Sequence, residues 1–337
     1  MRAAIVETPG RLEIREVPLP QPGDYQALVR MEACSICNAT DHKIVEGQLP
    51  FISRDQYPGI LGHESVGTVV EVGPRVRHFR EGDRVLRVWA VVPGLNSFWG
   101  GFAEFGLVTD RAAALADGVD PLPRPYHTGM QVVPPEIPPD AATQLITLKE
   151  TLSYLHRCGV SAGKSLLILG TGPVGLAFCL QARTLLQARP VIVLGRREAA
   201  LERARAFGAD HVIQAGAEDP ATALRRILPA GVDVAIDAVG HADLLRLGLE
   251  VLAEGGTVGS YGVAPADAEP LGPIQQDPRV YPGVCDEGEV HEELLGYVQQ
   301  GLIDPTRFIT HRLPLDQLAH GFELLAARQA LKVVVRF

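Results

Sequence analysis

Two textures of apolar and polar positions divide this chain. Over residues 1–115, runs such as ALVRMEA (27–33), SVGTVVEVG (65–73) and GDRVLRVWAVV (82–92) are rich in β-branched residues and separated by Gly and Pro. Period-2 alternation with close turn spacing predicts short strands in a small all-β barrel or sandwich. The first residues, MRAAIVETPGRLEI, read as strand, Pro-Gly turn and strand, with no signal-peptide core. From about 143 to 278 the texture changes. The segments SLLILG (165–170), VIVLG (191–195), HVIQA (211–215), VDVAIDAVG (232–240) and GTVGSYGV (256–263) alternate with amphipathic stretches such as Leu176–Gln187 and Arg197–Phe207. Strands alternating with helices predict a doubly wound parallel sheet. Residues 118–139 are Pro-dense and read as an irregular connection, and the chain closes with helices over 289–303 and 315–328 and a last strand over 331–337. No internal repeat is evident.

The run 165–175, SLLILGTGPVG, brings in the first chemistry. It is a buried strand turning into a helix through Gly170, Thr171, Gly172, Pro173, Val174 and Gly175. Glycines at this spacing allow a tight turn and let the backbone approach a pyrophosphate, while the helix N-terminus offers free N–H groups to the anion. A glycine turn that binds nothing is the bland alternative; the strand before and helix after speak against it. The next strand, VIVL, ends where an NAD-binding unit carries an Asp or Glu for the adenosine ribose hydroxyls. Here Gly195 stands in that place, followed by Arg196 and Arg197. Loss of the carboxylate removes the ribose acceptor and its repulsion of a 2′-phosphate, and two guanidiniums can pair with that phosphate. NADP(H) is therefore preferred over NAD(H). The alternative is a solvated helix start with Glu198 supplying the acid.

Composition narrows the class. At 337 residues two domains are expected, and 46% hydrophobic with 21% charged residues is ordinary for a globular protein. Net charge is −9 with no dense basic block, so nucleic acid is not an expected partner. No apolar run approaches the ~20 residues that span a bilayer, so no membrane partner is expected. Five scattered cysteines make no disulfide framework and suit a reducing cytoplasm.

The β-rich part holds the second chemical feature. Cys34 and Cys37 lie in EACSICNATDH, and His63 with Glu64 in YPGILGHESVG. A thiolate and an imidazole on separate loops, with carboxylates nearby, suit a catalytic zinc site that keeps one position open. Each piece alone is ordinary, a buried cysteine or a structural histidine; their joint occurrence with the dinucleotide loop carries the weight. Trp89, Trp99 and the Pro-dense segment are candidates for the walls of a substrate cleft, although large apolar residues more often belong to the core.

These residues resemble the medium-chain dehydrogenase/reductase superfamily, the zinc alcohol and polyol dehydrogenases. Pro58, Gly62, His63, Glu64, Gly67, Gly73, Val76, Gly82, Asp83 and Val85 follow its GHExxG, VGxxV and GDxV signatures, Gly100–Phe105 its GGxAE turn, and Leu331–Val335 its C-terminal strand. The resemblance implies an α/β protein with a GroES-like β-rich catalytic domain (1–147 and 279–337) and an inserted Rossmann domain (148–278). It implies Cys37 and His63 as zinc ligands, Glu64 as a nearby or alternating ligand, and Thr40 as the hydroxyl that meets the substrate oxygen. Cofactor contacts are implied at Ala238, Val239, Gly240, Tyr261 and Gly262, with Lys332 near the cofactor phosphates. Glu150, in Glu150-Thr151-Leu152-Ser153, is similar to the polyol enzymes' third ligand, although one helical turn closer to the glycine loop; a helix carboxylate is the alternative. Residues 86–105 contain no cysteine, so one catalytic zinc and no structural zinc is expected. Asn38 and Ala39 separate Cys37 from Thr40, one residue more than the family's Cys-Gly-Thr-Asp, and the usual relay histidine is replaced by Lys43 beside His42.

The activity implied is hydride transfer between an alcohol, polyol or sugar hydroxyl, or the matching carbonyl, and NADP(H). The alternatives are a zinc-independent NADPH quinone or alkene reductase of the same superfamily and a non-catalytic dinucleotide sensor. Relatives commonly pair as homodimers or homotetramers through the Rossmann sheet edge, here expected at the strand around Gly256–Val263.

Overall fold

A computed structural model describes residues 1–119, 129–264 and 268–337. Of the Pro-dense connection, residues 120–128 lie outside this description; the strand Val132–Val133 follows them. The chain divides into two compact units, Met1–Ile146 with Asp304–Phe337, and Thr147–Ile303. The boundary at 146/147 falls within the helix Pro139–Arg157.

In the first unit the strand Gln26–Ser35 is the hub. It pairs antiparallel with Glu64–Val72, Phe105–Thr109 and Lys332–Arg336. Arg84–Leu86 and Val132–Val133 extend the sheet at one side, and Ile309–Pro314 pairs parallel with Lys332–Arg336 at the other. The register sets Ser35 opposite both Glu64 and Val334, so three distant sequence segments meet where the hub strand ends. A smaller sheet joins Arg11–Glu16, Arg2–Thr8, Gly59–Ile60 and Asn96–Ser97. Ile36, Ile44, Leu61, Phe102 and Val333 pack into one fully buried cluster. Each such side chain contributes about 1.5–3 kcal/mol through removal from water.

The strand expected over 82–92 is shorter. It stops at Leu86 because Arg87 takes φ 59°, the left-handed region, which takes the backbone out of the ladder. Trp89 then makes a single bridge to Leu107. The cysteine-free stretch that follows is held by apolar packing, with Phe98 and Phe102 in the core cluster.

The second unit is a six-stranded parallel sheet in the order His211–Gln214, Val191–Gly195, Leu166–Leu169, Val232–Asp237, Leu252–Ser260, Val280–Tyr281. Leu166–Leu169 and Val191–Gly195 are buried along their whole length, as strands covered on both faces require. Strand order reverses between Leu166–Leu169 and Val232–Asp237. Ligands bind outside the carboxyl ends of the strands at such a switch point, and Gly170–Gly175 and Ala238–Gly240 leave the sheet there.

Two expectations change. Residues 279–303, expected with the catalytic domain, fall in the second unit. Val280–Tyr281 adds a strand to the parallel sheet, Tyr154 donates to the Tyr281 carbonyl at 2.9 Å, and Arg157 pairs with Glu289 at 2.8 Å. The strand around Gly256–Val263, expected as a free pairing edge, is covered by Val280–Tyr281 at Val258 and Gly259. Local apolar pattern does not reveal this, because a two-residue strand has no periodicity.

Candidate active site

Where the hub strand ends, Cys34 and Cys37 part company. Cys34 is wholly buried in the strand, and burial, with the Asp41 and Glu64 charges, pushes its thiol well up. It stays a neutral thiol. Cys37 lies beyond the strand end and is half-buried. Burial pushes its thiol up too, but hydrogen bonding and the charge of His63 outweigh this and hold it below its usual value. Asn38 and Ala39, which stand where the family pattern has one residue, are exposed. The Thr40 N–H donates to Cys37 Sγ at 3.4 Å. Thr40 opens the helix Thr40–Glu46, so the inserted residue does not detach it from Cys37.

Asp41, which the motif reading passed over, organises the centre. It is fully buried. Its Oδ2 accepts from the Cys37 N–H at 2.9 Å and its Oδ1 lies 2.9 Å from His63 Nδ1. A carboxylate only accepts, so Nδ1 carries the proton and Nε2 is left for another partner. Burial alone would lower the imidazole; Asp41, and then Cys37, outweigh it and hold His63 well above its usual value. An Asp four residues after Cys37, in the first turn of a helix, was the available signal. Trp99, a candidate for the cleft wall, lies with its ring centroid 5.3 Å from that of His63.

Glu64 completes the cluster. One ligand atom each from Cys37, His63 and Glu64 lie within 4.8 Å of one another. The ammonium of Lys332 bonds both Glu64 carboxylate oxygens, and both side chains are 3% exposed. Burial would lower Lys332, but the Glu64 charge outweighs it and raises it. The resemblance put Lys332 near cofactor phosphates; its ammonium is seated on Glu64. Soft thiolate, imidazole and carboxylate in one buried cluster, with the histidine oriented by an aspartate, form a donor set that fits zinc. Of the two relay candidates, His42 directs Nε2 at Glu46 (3.1 Å), and Lys43 is half-buried with its ammonium lowered by burial.

In the second unit the glycine loop has the shape of a cradle. Gly170 takes φ +127°, and a β-carbon at Gly175 would lie 2.2 Å from the Gly170 carbonyl oxygen, so only glycine lets the helix Pro173–Thr184 start this close to the strand. A β-carbon at Gly172 would meet nothing within 4 Å, leaving open space beside the first N–H groups of that helix. Val239 comes against Gly170, and Asp237, fully buried, holds the Ala238–Gly240 turn by accepting from the N–H groups of Val239 (2.9 Å), Gly240 (3.1 Å) and His241 (3.0 Å). The Gly262 N–H donates to the Asp237 carbonyl at 2.9 Å, and the Tyr261 hydroxyl donates to Glu150 Oε2 at 3.2 Å. Arg196 and Arg197 are exposed beyond the buried end of Val191–Gly195. Glu198, the alternative ribose acid, lies 3.4 Å from Arg205 along its own helix.

Comparison with known proteins agrees with this arrangement. Residues 23–117 match the family model of the alcohol dehydrogenase GroES-like domain, and residues 173–280 match that of the zinc-binding dehydrogenases. The chain is 27% identical over 345 residues to sorbitol dehydrogenase of Bos taurus, covering 98% of this chain and 95% of that protein. Among solved structures it is similar to alcohol dehydrogenase TADH from Thermus sp. ATN1 (TM-score 0.82, 27% identity, 100% of this chain and 99% of the other). A Sinorhizobium meliloti 1021 protein solved bound to NADP gives a TM-score of 0.80 at 28% identity, again over 100% and 99% of the two chains. None of the described helices is long and apolar enough to cross a membrane. With a GroES-like unit carrying the Cys37–His63–Glu64 cluster and a Rossmann unit carrying the glycine cradle, the chain belongs to the zinc-type alcohol and polyol dehydrogenases of the medium-chain dehydrogenase/reductase superfamily and is an oxidoreductase.

Proposed function

We propose that the protein transfers hydride between an alcohol, polyol or sugar hydroxyl (or the matching carbonyl) and NADP(H), with a single catalytic zinc held by Cys37, His63 and Glu64. The observation that carries this reading is the convergence of those three donors within 4.8 Å. Zinc in such a site supplies Lewis acidity toward a substrate oxygen, and the nicotinamide supplies or accepts the hydride. The chain's own residues supply the geometry. Asp41 fixes the imidazole and the Cys37 backbone; Lys332 holds Glu64; Thr40, tied to Cys37 through its N–H, orients the substrate oxygen with its hydroxyl. The glycine loop receives the pyrophosphate, and Ala238, Val239, Gly240, Tyr261 and Gly262 line the cofactor's path.

Cys37, His63 and Glu64 would supply the three protein donors that a catalytic zinc takes, with room left for substrate. Glu150→Ala is therefore expected to retain about one zinc per chain, counted by mass spectrometry after dialysis without chelator. Loss of zinc in that variant would make Glu150 a ligand. Wild-type protein without zinc that still binds NADPH would overturn the metal-dependent reading in favour of a zinc-independent reductase or a sensor.

The NADP(H) preference rests on Gly195 with Arg196 and Arg197, and the NADP bound to the Sinorhizobium neighbour supports it. Two charge-assisted bonds to a 2′-phosphate give the expected size of the effect. Arg196→Ala/Arg197→Ala should raise KM for NADPH about 10–100-fold and leave KM for NADH within about threefold. Equal changes for the two cofactors would remove the assignment.

A further inference from the structure

We propose that Thr171 is a cofactor-specificity residue that acts by keeping position 195 a glycine. The inference rests on the NADP(H) reading above and names the residue that enforces it. A β-carbon built on Gly195 would lie 2.5 Å from Thr171 Cγ2, 2.9 Å from Leu201 Cδ2 and 3.4 Å from Thr171 Oγ1. Carbon atoms in favourable contact sit about 3.5–4.0 Å apart, so the first two are clashes. They differ in kind. Leu201, though buried, meets the site with the end of a two-torsion side chain, which yields at lower cost. Thr171 meets it with a methyl on its own Cβ, governed by one stiff torsion.

The backbone has little room to relieve the clash. Leu169 and Leu194 face each other in the parallel ladder, and the Gly170 N–H donates to the Leu194 carbonyl at 3.0 Å. Thr171 lies two residues beyond Leu169, and Gly195 directly follows Leu194. Gly195 is buried while Arg196 and Arg197 are exposed. A carboxylate at the end of this strand is the group that would accept the adenosine ribose hydroxyls. Thr171 occupies its room, and the guanidiniums remain to meet the 2′ substituent. Thr171 therefore selects against an NADH-type anchor, and no single substitution at 195 installs one.

The test separates sterics from cofactor. In cofactor-free protein, Gly195→Ala should lower Tm by about 3–8 °C. Thr171→Ala removes both Thr171 atoms near the new carbon, so Thr171→Ala/Gly195→Ala should recover most of that loss relative to Thr171→Ala alone. Thr171→Val keeps a methyl at the clash, and in that background Gly195→Ala should remain costly. Direct Kd measurements by fluorescence follow. Gly195→Asp alone should weaken NADPH without strengthening NADH, whereas Thr171→Ala/Gly195→Asp should bind NADH about tenfold tighter than Gly195→Asp. A Gly195→Ala loss independent of residue 171, or the same NADH affinity for Gly195→Asp in both backgrounds, would overturn the role of Thr171 alone. Equal wild-type Kd values for NADPH and NADH would overturn the NADP(H) reading, and this role with it.

Discussion

In metal-free protein, Lys332→Met is expected to lower the free energy of unfolding by about 3–5 kcal/mol, because it leaves the Glu64 carboxylate buried without its cation. Both partners are 3% exposed, so water cannot take over the solvation that the ammonium supplies. The strand Lys332–Arg336 keeps its ladder to Gln26–Ser35, since methionine fills similar volume and the backbone bonds are untouched. Guanidinium denaturation after chelation measures the loss. The double variant Lys332→Met/Glu64→Gln should recover most of it, because replacing a buried pair by neutral groups removes both desolvation penalties. A loss below about 1 kcal/mol, or no recovery in the double variant, would show that Lys332 does not carry the Glu64 charge.

Asp41→Asn should weaken zinc binding about 10–100-fold, the range for losing a group that orients a ligating histidine. Asp41 accepts on both oxygens, from the Cys37 N–H and from His63 Nδ1, each at 2.9 Å. Asparagine offers one oxygen and one amide donor, so one of those two donors must face another donor. Either outcome harms the site, by turning the imidazole or by releasing the Cys37 backbone. Competition with a chromogenic chelator measures the affinity, and far-ultraviolet circular dichroism checks that the fold is kept. Unchanged affinity would mean that the histidine is oriented by packing, with Trp99 as the neighbour to test next.

Much of this was legible before any coordinates. Gly170–Gly175 sits after a strand and before a helix, as its spacing implied, because a close strand-to-helix turn demands glycine locally. Cys37, His63 and Glu64 were nameable from short motifs that match a known pattern. Asp41 was not singled out, although the same motif contains it, since an acidic residue on a short helix usually faces water. Asp237 ends the strand Val232–Asp237, and its three backbone partners depend on a turn that only the folded loop forms. Arg87 could not be foreseen either. Its positive φ interrupts a run rich in β-branched residues on both sides of it.

The linear chain determined the textures, the parallel sheet, the glycine loop and the identities of the donors, because these depend on periodicity and on residue type at near-neighbour spacing. Folding decided which residues meet. Lys332 reaches Glu64 across 268 positions of chain, and Thr171 closes the space at Gly195 across a strand ladder. Contacts of that kind are set by sheet register and by the volume of facing side chains, and neither is written in any local window of sequence.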